Sequence, residues 1–154
     1  MDGGKGEEYA YLFWGGLLKP TKTDADDELS RVVGDGGRAE CVRGRDLSGH
    51  LMRRLCAMGL SVRERTDFVT YWCPQLEHSA YVDVAFLSSA EYDRLAALRI
   101  EPRPDVLRRV FAVFRCRDSC SAGAAKASAE ADAAQTAPLT RRGLVCVEWG
   151  GIIL

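Results

Sequence analysis

The sequence predicts an α+β domain, a mostly antiparallel sheet with a helical hairpin packed on one face and one short extra helix. Three observations carry this. Residues 81–87 and 144–149 alternate apolar and polar side chains, as strands with one buried face do. Leu47, Leu51, Leu55 and Met58 recur at spacings of four, four and three, the stripe of an amphipathic helix. Phe68, Tyr71 and Trp72 continue the helical spacing after a Ser61-x-x-Glu64 capping box, which starts a second helix. With 154 residues, 47% of them hydrophobic and 28% charged, the chain is long enough to bury one core without a metal or a disulfide.

Taken in order, residues 1–8 read as a polar, flexible tail, and residues 9–154 as a single globular domain. Residues 9–14 are aromatic-rich and stop at Gly15-Gly16, which suits a strand followed by a turn. Residues 19–37 hold Pro20, the acids Asp24, Asp26, Asp27 and Glu28, and Gly34-Asp-Gly-Gly37. They read as a surface loop with at most a short strand near 29–33. A second strand is expected at 38–43.

The helical hairpin covers 47–60 and 62–76. Asp46 or Ser48 can cap the first helix and Gly59 can end it. Pro74 lacks a backbone donor and is expected to kink or end the second near Trp72. After strand 81–87, Ser88-Ser89 caps a short helix at 90–98 with Tyr92, Leu95 and Ala96 inward. Pro102 and Pro104 hold 100–105 extended. Residues 107–115 are apolar on both faces, which marks a strand interior to the sheet. Residues 118–138, rich in Ala and Ser, carry no apolar stripe and read as a second surface loop. In 144–149, Val145, Val147 and Trp149 share one face and Leu144, Cys146 and Glu148 the other, with Gly150-Gly151 expected to break the strand. Strand order is left open.

Charge narrows the function classes. Twenty-one basic and 22 acidic residues leave a formal net charge of −1, without the basic excess that grips a phosphate backbone, so nucleic-acid binding is not expected. No charged n-region precedes an apolar run at the N-terminus, and residues 9–18 are too short to cross a membrane. A cytoplasmic chain without a membrane role is expected, and its six cysteines (41, 56, 73, 116, 120 and 146) are then expected to be thiols rather than bridges, with a disulfide framework the alternative for an exported chain.

The segments Asp67-Phe-Val-Thr-Tyr-Trp-Cys-Pro-Gln-Leu-Glu77, 81–86, Tyr92, Ile100-Glu-Pro-Arg-Pro-Asp105, Arg109-Val-Phe-Ala-Val-Phe114 and Leu144-Val-Cys-Val-Glu-Trp-Gly-Gly151 stand in one order. In that order they resemble a family of small domains of unknown function. Its members begin near a Tyr-Leu-x-Trp strand, matched by Tyr11 to Trp14, and end at a Val-Glu-Trp-Gly-Gly strand. The resemblance spans the chain apart from 1–8, 19–37 and 118–138. It implies one intact domain and brings no catalytic residue, cofactor or substrate. Ala112, where a larger apolar residue is expected, and the Ala-rich insertion mark a divergent member.

Weighed singly, the chemical motifs are weak. Cys116-Arg-Asp-Ser-Cys120 has metal-like spacing but no second ligand pair, so no metal site is assigned. Cys73 and His78 suggest a nucleophile and base, yet Cys73 falls near a helix C-terminus, where the dipole raises a thiol pKa. His50, near a helix start, reads as a surface residue. Gly34-Asp-Gly-Gly37 lacks the lysine of a phosphate loop and reads as a turn; the acids at 24–28 lack the pattern of a calcium loop. Glu148 is the acid of most interest: it is expected to be partly buried, with Arg109 or Arg115 as its partner. Tyr71, Trp72 and Trp149 suit an interface or a core, and the core is favoured. No catalytic residue and no cofactor are assigned. The expectation is a non-catalytic protein-interaction or assembly module with a protein partner. The alternative is a small enzyme or ligand-binding domain with a pocket lined by Glu148, Tyr71 and arginines.

Overall fold

Among the described residues, period-two patterning and apolar stripes assemble into four strands and four α-helices. The computed structural model describes residues 11–16, 24–34, 37–120 and 139–154. In chain order these form α1 (Asp24–Val33), β1 (Glu40–Arg43), α2 (Leu47–Ala57), α3 (Val62–Leu76), β2 (Tyr81–Phe86), α4 (Ser89–Leu95), β3 (Val106–Arg117) and β4 (Val145–Ile153). The sheet order is β1-β2-β3-β4. β1 with β2 and β2 with β3 are antiparallel, while β4 runs parallel to β3, Val106 opposite Val145 and Phe114 opposite Ile153. The predicted α+β class, mostly antiparallel, is the observed one.

Each face of the sheet closes a core. Leu47, Leu51, Leu55 and Met58 of the first stripe join Phe68 and Trp72 of the second over Val82, Val84, Phe86, Val110, Ala112 and Phe114, with Val147 and Trp149 packed alongside. The opposite face carries Ala85 and Val113, covered by Leu29, Val32 and Val33 of α1 and Tyr92 of α4.

The local signals that hold are those complete within a few residues. Ser61 and Glu64 form the capping box of α3, and Ser88 and Glu91 form another at α4. Gly59, at φ +85°, ends α2. Its N–H donates to the Cys56 carbonyl and the Leu60 N–H to that of Leu55, a Schellman closure. Asp46 occupies the N-cap of α2 without a side-chain bond.

Several expectations are corrected. The loop expected at 19–37 contains α1. Leu29, Val32 and Val33 are spaced three and one apart, an apolar stripe that the acidic run and the following glycines obscure. Residues 19–23, 35 and 36 lie outside the described residues, as do 1–8 and 121–138, so the tail and most of the second loop are not described. Residues 11–14 are not a strand: aromatic propensity does not make one without a ladder partner. The rest of that segment, 9 and 10, is outside the described residues. α3 runs through Pro74 to Leu76. Proline there removes one donor and the helix has only one turn left to hold.

β4 does not stop at its glycines. A Cβ on Gly151 would lie 2.9 Å from the Trp72 ring and 2.8 Å from the Ala112 carbonyl oxygen. Glycine thus lets the indole press onto the strand, beside the small Ala112 on the same face. Finally, Cys41 and Cys120 form a disulfide across 79 residues, with Cα atoms 6.1 Å apart, where thiols were the favoured expectation, while Cys56, Cys73, Cys116 and Cys146 are thiols. Pairing brings Cys41 of β1 and the residues just past β3 to the same end of the sheet.

Candidate functional site

The parallel register sets Arg109 beside Glu148, both on the sheet face toward α4. Arg115 is six residues further along β3 and bonds Asp83 instead, at 3.5 Å. Arg109 is thus the partner of Glu148: its Nε donates to Glu148 Oε2 at 2.5 Å. Nη1 donates to Asp93 Oδ1 at 2.5 Å, and Nη2 to the Ala96 carbonyl at 2.8 Å. The guanidinium Cζ sits 4.0 Å from the centroid of the Tyr92 ring. α4 supplies all of these except Glu148 and Ala96, the latter being its C-cap.

The network is dry at its centre and wet at its rim. The Arg109 side chain is 4% exposed and that of Glu148 11%, whereas Asp93 is 61% exposed. Burial works against the Arg109 charge, but the bonds to Glu148 and Asp93 outweigh it and hold its pKa above the ordinary value. Burial, then the Glu148 charge, push the Tyr92 hydroxyl up to about 12, so it stays a proton donor. Gly150 passes the Tyr92 hydroxyl, where a Cβ would lie 3.5 Å away. Glu148 accepts from Arg109 on β3. Such an arrangement holds α4 to the β3–β4 seam.

The other face of β4 carries the aromatic residues. Trp149 lies 5.4 Å from Phe68 and 6.2 Å from Tyr71, centroid to centroid. Tyr71 stacks edge-on to Trp72 at 5.0 Å. Trp72 is buried and Trp149 half-buried, whereas Tyr71 is exposed, so the core expectation fails for Tyr71. At i and i+1 on one helix, Tyr71 and Trp72 point about 100° apart, and only Trp72 meets the sheet. Glu148 and Tyr71 therefore lie on opposite sides of β4. Around this seam Tyr11, Leu12, Phe13, Trp14, Tyr71, Ile153 and Leu154 are all exposed. The exposed row at 11–14 could be placed against β4 only by tertiary contact: Phe13 to Tyr71 at 6.4 Å, and the Trp14 Nε1 to Glu148 Oε1 at 3.2 Å.

The remaining sequence candidates resolve as structural groups. Cys73 is buried, and burial followed by the Glu77 charge pushes its thiol up to about 11, the reverse of an activated nucleophile. His50 is not a free surface residue. Its Nε2 is 3.4 Å from Glu40, and burial lowers its pKa despite that carboxylate. Cys116 is an exposed thiol and Cys120 is in the disulfide. Among the described residues, no group of three or more His, Cys, Asp or Glu side chains is arranged to hold a metal ion. A shallow concavity is lined by Arg43, Arg45, Glu77, Ser79, Ala80 and Tyr81, none of which belongs to the Arg109–Glu148 network. Among the described residues no helix is long and apolar enough to cross a membrane. No family model, curated protein or solved structure matches the chain.

Proposed function

We propose that this protein is a non-catalytic interaction module that meets a protein partner through the aromatic surface around β4. One observation carries the reading: Tyr71, Ile153 and Leu154 are exposed at β4, and the exposed aromatic pair Phe13 and Trp14 lies loosely across the same strand. Contiguous exposed apolar surface of this kind is costly in water and marks association sites. Aromatic side chains dominate the energetics of such sites. The acid that would serve chemistry, Glu148, is meanwhile engaged by Arg109 and Trp14.

A photo-crosslinking amino acid placed at Leu12 or Tyr71 of the full chain, expressed in its native cells, tests this. One polypeptide adduct common to both positions, and absent when the crosslinker replaces the exposed Arg45, is the expected result. Absence of adducts at both positions overturns the reading.

A further inference from the structure

We propose that the outer edge of β4 is a strand-docking site for an extended segment of the partner protein, and that residues 11–16 of this chain occupy it as a loosely held stand-in. This rests on the interaction reading above and names the chemistry of the partner.

β4 is an edge strand of nine residues. It has no proline and no lysine or arginine along its length, so its protection is limited to one inward-turned charge and the segment 11–16 lying across it. Its one charge, Glu148, is turned inward and neutralised by Arg109. An edge of this length presents a row of backbone donors and acceptors to whatever extended chain lies beside it.

The chain's own residues show what fits. Phe13 and Trp14 are consecutive, yet they reach groups on opposite faces of β4: Phe13 approaches Tyr71 on the Trp149 side, and Trp14 donates to Glu148 on the α4 side. An extended segment passing the edge, with side chains alternating across it, accounts for both contacts. The seating is shallow. No backbone hydrogen bond joins 11–16 to β4 among the described residues. Tyr11, Leu12, Phe13 and Trp14 remain 61, 86, 72 and 56% exposed.

A segment in ladder register would gain the backbone bonds that 11–16 forgo. The partner chemistry follows from the two faces. It is an uncharged extended peptide with large apolar or aromatic side chains at successive positions. One of them, a Trp or Tyr, carries a donor for Glu148 Oε1, and its neighbour packs on Tyr71.

The test is a titration of a fluorescein-labelled peptide, Tyr-Ala-Tyr-Leu-Phe-Trp-Gly-Gly, the sequence of residues 9–16. It is followed by anisotropy against the full-length protein and against the double variant Phe13→Ala, Trp14→Ala. Saturable binding is expected, at least about ten-fold tighter to the double variant because the stand-in no longer competes. A peptide N-methylated at alternate residues is expected to lose binding, and saturation with the unmodified peptide to slow amide exchange in residues 145–153. No saturable binding to either protein, equal affinity for both, or full binding of the N-methylated peptide overturns the proposal. Should the double variant fail to fold, the wild-type titration with its N-methylated control decides alone. Crosslinking at Leu12 and Tyr71 does not depend on this result, so loss of the edge mechanism and loss of the interaction reading are separable.

Discussion

Replacing Arg109 with methionine is the sharpest test of how this fold is held at the β3–β4 seam. The substitution keeps most of the side-chain volume and removes the cation from a site where Glu148 is 11% exposed. Two unit charges about 4 Å apart at an effective dielectric of about 20 interact by roughly 4 kcal/mol. Breaking a buried pair by removing one partner costs about 3–5 kcal/mol, because the other charge stays behind uncompensated. The contact to Asp93 adds little, since that carboxylate is 61% exposed and rehydrates. A loss of about 3–5 kcal/mol corresponds to roughly 10–15 °C in Tm for a domain of this size.

Urea and thermal unfolding followed by circular dichroism measure it. A second variant makes the cause identifiable: Glu148→Gln in the Arg109→Met background removes the stranded charge while keeping an acceptor for Tyr92 and Trp14. It is expected to recover about 2 kcal/mol or more, as a coupling energy in a double-mutant cycle. A single-variant loss below about 1 kcal/mol, or a double variant less stable than Arg109→Met alone, refutes the argument from an uncompensated buried charge.

Other expectations follow from the same contacts. Gly151→Ala places a Cβ against the Trp72 ring and the Ala112 carbonyl. It is expected to cost about 1–3 kcal/mol and to shift the tryptophan emission, whereas no loss would show that the indole moves freely. The Cys41–Cys120 bond closes 79 residues, worth about 4 kcal/mol in the loop-entropy picture. Reduction is therefore expected to lower Tm markedly, and alkylation at pH 8 before reduction should label Cys56 and Cys116 while sparing Cys73; labelling of Cys41 in the untreated protein contradicts the bond. Burial opposes the Glu91 charge, but Arg38 and the Ser88 cap hold its pKa down at about 2. A carboxyl depressed on folding contributes stability above its unfolded pKa of about 4.3 and loses it as pH falls toward 2. Arg38→Gln should thus destabilise the protein at pH 7 more than at pH 2, as read from urea midpoints at the two pH values; equal losses at both would remove the ion pair as the cause.

Much of the fold is legible residue by residue. The caps at Ser61 and Ser88, the stripe from Leu47 to Met58 and the alternation at 81–87 all appear where their patterns place them. The stripe of α1 was equally present in Leu29, Val32 and Val33 but was masked by neighbouring acids and glycines. Gly150-Gly151 misled for a different reason: glycine signals a break when nothing packs on it, and here Trp72 and Tyr92 approach the two residues from opposite faces. The exposure of Tyr71 beside the buried Trp72 was hidden because adjacent helical positions carry the same composition signal in either environment.

The sequence by itself determined which segments are helices or strands wherever the deciding contacts lie within about four residues, since caps and amphipathic periods are local physics. Only the tertiary structure decided that β4 lies parallel to β3 at an edge, that Arg109 rather than Arg115 neutralises Glu148, and that Phe13 and Trp14 straddle that edge. Those outcomes depend on register between residues 39 and 134 positions apart. Shifting a strand by one residue turns every side chain to the other face, so which groups meet is a property of the assembled sheet.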